Sequence, residues 1–91
     1  MSFLNSEVSF RIYDSYSLKD KRSTVKSIIT RIHNRYNVSI AEIGEQDMLN
    51  VSKIGIAITN SSQLVAQQTL DSIIKEIEER YEIEIFDIRA Y

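Results

Sequence analysis

The chain has no cysteine, no proline and no tryptophan. Its 91 residues include only two glycines, Gly44 and Gly55, and one histidine, His33. Without cysteine there is no disulfide, no thiolate nucleophile and no thiolate metal site, so a reducing cytoplasm is the expected location. Two isolated glycines do not make a phosphate-cradling loop, and one histidine does not make a histidine metal pair. No serine stands in a nucleophile elbow, and no base and oxyanion site can be assembled around one. These gaps argue against an enzyme. They leave no catalytic residue, no metal ligand and no cofactor to nominate. No apolar run approaches the length of a membrane span. The first residues, Met1 to Asn5, lack the basic, apolar and small-residue regions of a secretory signal. No membrane partner is expected.

What is present suits a small globular protein. Hydrophobic residues make up 43% of the chain and charged residues 26%, an ordinary balance for a folded domain. The length fits one domain over residues 1–91, with one core and no deep pocket. Val8, Phe10 and Ile12 alternate with polar neighbours, which predicts a half-buried strand. Ser17 is a plausible helix N-cap. After it, Leu18, Val25, Ile28, Ile29, Ile32 and Tyr36 share one side of a helix. Val38 and Ile40 open a second strand running toward Gly44, and Ile54, Ile56 and Ile58 mark a third. Asn60-Ser61-Ser62 precedes a second helix with a stripe of Ala66, Leu70, Ile73, Ile74, Ile77 and Tyr81. Asp71–Lys75 and Glu76–Arg80 stand at the supportive i,i+4 spacing on its outer face. Ile83 and Ile85 open a fourth strand.

The order β-α-β-β-α-β is reinforced by an internal repeat. Residues 23–43 superpose on 68–88 with 9 of 21 positions identical, including Ile28-Ile29 on Ile73-Ile74 and Arg35-Tyr36 on Arg80-Tyr81. A shared amphipathic pattern explains the isoleucines more readily than it explains the repeated Arg-Tyr. Two right-handed β-α-β units pack most simply as an α+β, ferredoxin-like sandwich. Its four-stranded antiparallel sheet carries both helices on one face.

Charge is divided unequally between the two units, although the whole chain has a net charge of only −2. From Ser17 to Tyr36 six cations (Lys19, Lys21, Arg22, Lys26, Arg31 and Arg35) stand against Asp20 alone, a net of +5. From Ser61 to Tyr91 seven carboxylates stand against three cations, a net of −4. The six cations of the first helix are the candidate phosphate contacts, with RNA or a ribosomal particle as partner, because Lys and Arg supply the sequence-independent part of nucleic-acid affinity. The competing reading is a solvated helix face, complementary to the acidic second helix of a neighbouring molecule. Base stacking on the open sheet face is not expected. The two central strands present Ser9, Arg11, Lys53, Gly55 and Ala57 there, with Tyr13 the one aromatic.

Strict alternation places Ala41, Ile43, Phe86 and Ile88 on the open face, an apolar set that predicts a partner, most simply a second copy in a closed dimer. The alternative function is therefore a homo-oligomeric interaction or ligand-sensing module with no nucleic-acid role. A bulge near Glu42 or Phe86 would turn Ile43 or Ile88 inward and shrink that patch. Glu42, Glu45, Gln46 and Asp47 around Gly44 match no metal-loop spacing and read as a solvated turn.

Two segments carry a resemblance. Ser17-Leu18-Lys19-Asp20-Lys21-Arg22-Ser23, continuing through Val25-Lys26-Ser27, resembles the motif that opens the first helix in the YlxP-like family of small bacterial proteins. Asn37-Val38-Ser39-Ile40-Ala41-Glu42-Ile43-Gly44-Glu45-Gln46-Asp47 resembles that family's second motif. The resemblance implies a ferredoxin-like fold. Through genes that neighbour those of translation and ribosome-maturation factors, it also implies an RNA-linked role. It carries over no catalytic residues.

Overall fold

The structure, a computed structural model, describes residues 2–91. Its elements follow in the order β1 (Ser2–Ile12), α1 (Leu18–Arg35), β2 (Ser39–Gly44), β3 (Val51–Asn60), α2 (Gln63–Arg80) and β4 (Ile83–Ala90). The four strands form one antiparallel sheet in the order β2-β3-β1-β4. β1 is therefore central and pairs on both sides. This explains why it begins at Ser2, well before the alternation that starts at Val8. The polar stretch Asn5-Ser6-Glu7 is held by backbone pairing to Ala57, Ile56 and Gly55 on β3.

Period two on the strands and period 3.6 on the helices turn the apolar residues to one side. Val8, Phe10, Ile12, Ile54, Ile56 and Ile58 from the sheet join Val25, Ile28 and Ile32 of α1 and Ala66, Leu70, Ile73 and Ile77 of α2 in one buried cluster. Both helices thus cover the same face of the sheet. At about 25 cal/mol per Å2 of apolar surface removed from water, that cluster is the main stabilising term. Each helix opens with a serine cap: the Ser17 hydroxyl accepts from the Asp20 N–H at 3.0 Å, and the Ser62 hydroxyl from the Val65 N–H at 3.2 Å.

The repeated Arg-Tyr ends both helices in the same way. Tyr36 and Tyr81 are extended, at φ −131° and −128°, and each N–H still donates to an isoleucine carbonyl one turn back, Ile32 or Ile77. Each tyrosine carbonyl then accepts from the N–H two residues on, Val38 or Ile83, closing a three-residue turn into the next strand. The side chains cross between the helices. The Tyr36 hydroxyl donates to Glu76 of α2 at 3.1 Å, and the Tyr81 hydroxyl meets Ser27 of α1 at 2.8 Å. The two units share a boundary geometry as well as a hydrophobic pattern.

Both foreseen bulges occur, with different consequences. In β4 the register shifts around Phe86, so that Ile85 pairs with Phe10 and Ile88 with Val8. Directly paired residues point to the same side of a sheet. Ile88 therefore lies on the helix side, beside Ile74 of α2, and the expectation that it belongs to the open face is corrected. In β2 the register shifts at Ile43, yet Ile43 stays on the open face and lies across Gly55. A Cβ at Gly55 would stand 3.1 Å from the Ile43 Cγ2, so the glycine is what admits that side chain. Among the described residues no helix is long and apolar enough to cross a membrane.

Candidate functional site

α1 carries all six predicted phosphate contacts, and the structure divides them into three groups. Lys21 falls in phase with Val25, Ile28 and Ile32 and is completely buried. Its ammonium lies 2.9 Å from the Glu42 carboxylate and donates to the Glu45 carbonyl oxygen. Glu42 sits on the core side of β2, paired with Ile54, and also accepts from the buried Ser52 hydroxyl at 2.6 Å. Lys21 is thus withdrawn from any ligand. A buried ammonium needs a carboxylate and further acceptors to be tolerated, and these three groups supply them.

The expected solvated turn is corrected at the same point. Glu42 is an internal ion-pair partner, while Glu45 and Asp47 remain exposed. Glu45 takes a left-handed φ of 60°, which starts the turn into β3. The sequence does hold a signal for this pair. Lys21 lies on the apolar stripe of its helix and Glu42 two residues after Ile40 on its strand, opposite charges at two positions whose phase demands burial.

Arg31 and Arg35 form the second group. Both reach Glu76 on α2, at 3.7 Å and 3.0 Å, and Glu76 accepts from Tyr36 as well. The sequence pairs Glu76 with Arg80 along α2. The carboxylate instead turns across to α1, where two guanidiniums and a phenol converge. The acidic helix that complements α1 is the chain's own. Burial, with the Glu76 carboxylate as hydrogen-bond acceptor, holds the Tyr36 hydroxyl above its ordinary pKa.

Lys19, Arg22 and Lys26 form the third group. They are exposed, follow one another at i, i+3 and i+7, and have no ion-pair partner among the described residues. The candidate site of the first helix is this row, continuous with the groove formed by Ser23, Lys26, Ser27, Thr30, Arg31, Asn34 and Arg35.

The open sheet face has two halves. On β2 and β3, Ala41, Ile43, Gly55 and Ala57 make a shallow apolar depression bordered by Asn5, Glu7 and Tyr91. On β1 and β4, Arg11 pairs with Glu84 at 2.9 Å and lies over the Phe86 ring, Arg89 pairs with Asp87, and the Tyr91 hydroxyl donates to Glu7 at 2.9 Å. Three of the four predicted interface residues, Ala41, Ile43 and Phe86, share this face. Ile88 does not.

Order of strands, antiparallel pairing and two helices on one face define a ferredoxin-like α+β protein. The chain belongs to the family described as "Protein of unknown function (DUF503)", whose family model matches residues 4–90. It is 44% identical over 73 residues to the Uncharacterized protein YlxP of Bacillus subtilis (strain 168), covering 80% of this chain and 79% of the relative. Among solved structures it resembles the de novo designed protein Foldit4, at TM-score 0.58 and 15% identity, over 99% of this chain and 97% of the other. It also resembles the de novo designed protein Ferredog-Diesel, at TM-score 0.50 and 15% identity, over 99% and 84%. These likenesses show the fold alone. Within the fold, Lys21 of the first family-like segment and Glu42 of the second meet in the buried ion pair.

Proposed function

We propose that this chain is a non-catalytic cytoplasmic accessory protein that holds RNA, free or within a ribosomal particle, by its phosphates. Lys19, Arg22 and Lys26 of α1 are the primary contacts. The observation that carries the reading is the contrast among the six cations. Lys21 is consumed by Glu42, and Arg31 and Arg35 share Glu76, whereas these three are exposed in one row without a carboxylate partner among the described residues. At about 1.5 Å of rise per residue the row is about 10 Å long, enough to meet successive phosphates of one strand. Ribosomal particles sedimented with the protein at low salt test this. Wild type is expected in the pellet and to leave it as salt rises. The variant Arg22→Glu/Lys26→Glu is expected in the supernatant throughout. Equal sedimentation of variant and wild type sinks the proposal.

Self-association is a second reading, favoured by Ile43 lying exposed over Gly55 beside Ala41 and Ala57. On that face Arg11 pairs with Glu84 and Arg89 with Asp87, and the remaining Lys53 and Glu7 are opposite in sign, so two copies can approach without net repulsion. Light scattering at micromolar concentration is expected to give the mass of a dimer, and Ile43→Lys that of a monomer. A wild-type monomer mass counts against it.

A further inference from the structure

The solvent side of α1 has an order that a solvated helix face does not require. Ser23, Ser27, Thr30 and Asn34 stand at i, i+4, i+7 and i+11, a single row along the helix. With Lys26, Arg31 and Arg35 they line a shallow groove of about 600 Å3. The row runs about 16 Å at the rise of an α-helix. Ser23, Thr30 and Asn34 are exposed, while Ser27 is tied to the Tyr81 hydroxyl.

Cations flank this neutral row on both sides. Lys19, Arg22 and Lys26 lie along one edge. Arg31 and Arg35 lie along the other, on the side of α2, held there by Glu76. Asp20 stands in the first turn, where its carboxylate accepts from the Tyr16 N–H. No Phe, Tyr or Trp side chain lies on the row or on either cationic edge; the one ring there is the exposed His33, two turns beyond Lys26 on the Lys19 edge.

These features discriminate between forms of RNA. Proteins that hold single strands rely on several aromatic side chains to stack successive unpaired bases, and this surface offers only the lone imidazole of His33 at one end. An A-form duplex instead presents a wide, shallow minor groove lined with 2′-hydroxyls and bordered by two phosphate strands. A strip of hydroxyls and one amide between two cationic edges is the complement of that surface. Resting on the RNA-binding reading above, we infer that the ligand of α1 is duplex RNA. Its minor groove lies along the helix. Ser23, Thr30 and Asn34 meet 2′-hydroxyls, Lys19, Arg22 and Lys26 meet the phosphates of one strand, and Arg31 and Arg35 meet those of the other. A DNA duplex lacks the 2′-hydroxyls and presents a narrower minor groove.

Fluorescence anisotropy on the whole chain tests the assignment with three probes: an RNA duplex of about 20 base pairs, the DNA duplex of the same sequence, and one RNA strand alone. The RNA duplex is expected to bind about tenfold more tightly than either other probe. Thr30→Ala/Asn34→Ala, two exposed changes that leave the core intact, is expected to lower that preference about threefold while DNA affinity stays constant. A single strand that binds as tightly as the duplex overturns the inference and leaves the phosphate-binding reading in place. Equal binding of the RNA and DNA duplexes, or a preference untouched by the double variant, overturns the role given to the hydroxyl row. Failure of all three probes to bind overturns the inference and the reading beneath it together.

Discussion

At the scale of the residue, Lys21 is the position that most changes the meaning of the sequence. In the chain it is one cation among six. In the structure it is a buried ammonium, closed in by the Glu42 carboxylate and the Glu45 carbonyl, at the point where α1, β2 and the turn to β3 meet. A buried pair adds little net stability, because desolvating both charges offsets most of their attraction, but removing one partner strands the other. Lys21→Met is therefore expected to destabilise the fold by about 3–4 kcal/mol in chemical denaturation. Lys21→Met/Glu42→Gln removes both charges and keeps an acceptor for the Ser52 hydroxyl, and is expected to recover more than half of that loss. A single variant as stable as wild type, or a double variant worse than the single, contradicts the pairing. Charge counting alone hides this role, since a net of +5 over the first helix treats each cation as free. Phase reveals it, since Lys21 stands where Val25, Ile28 and Ile32 are already known to face inward.

At the scale of the element, most of the architecture was legible in the sequence. The buried stripes of both helices, their serine caps and the four strands follow from periodicity and capping chemistry. The repeated Arg-Tyr stood out in the sequence, but the shared way of leaving a helix that it marks is seen only in the structure. In the sheet, two things were not legible, both non-local. One was the length of β1, whose polar start is held by partners on two sides rather than by its own pattern. The other was the outcome of the bulges: alternation can say that an extra residue will flip a face, but not which strand absorbs it. The aligned isoleucines Ile43 and Ile88 thus end on opposite faces. The crossing of Tyr36 to Glu76 was also unreadable, because it depends on how close the helices lie. That contact gives a prediction. The Tyr36 proton is held more firmly in the folded chain than in the unfolded one, whose phenol titrates near 10.0. As pH rises past that value the unfolded state loses its proton first, so stability falls until the folded phenol also ionises. Tyr36→Phe is expected to be about 1 kcal/mol less stable than wild type at pH 7, having lost the hydrogen bond. Its deficit is expected to shrink as denaturation curves are taken from pH 9 to 11. A constant deficit across that range argues that Tyr36 and Glu76 are not linked.

At the scale of the whole molecule, an acidic chain, pI about 5.3, presents one cationic face. How strong that face is depends on Glu76. This single carboxylate lies within reach of Arg31 and Arg35 and removes about one charge from their edge of α1. Each phosphate a protein neutralises contributes about −0.7 to −0.9 to the slope of log affinity against log salt. Six free cations would give a slope of about −5, whereas three free cations and two that share a carboxylate give about −3. Glu76→Gln restores full charge to Arg31 and Arg35 while keeping an acceptor for the Tyr36 hydroxyl. This substitution is expected to tighten RNA binding and to steepen the slope by about one, measured by anisotropy between about 50 and 200 mM salt. It is also expected to lower folding stability, because two guanidiniums lose their carboxylate. The two effects therefore run in opposite directions, as they do when one residue limits a binding surface in order to fasten its helix to the next. A Glu76→Gln protein that binds RNA with an unchanged slope would show that Arg31 and Arg35 lie outside the interface. The contact would then be confined to Lys19, Arg22 and Lys26.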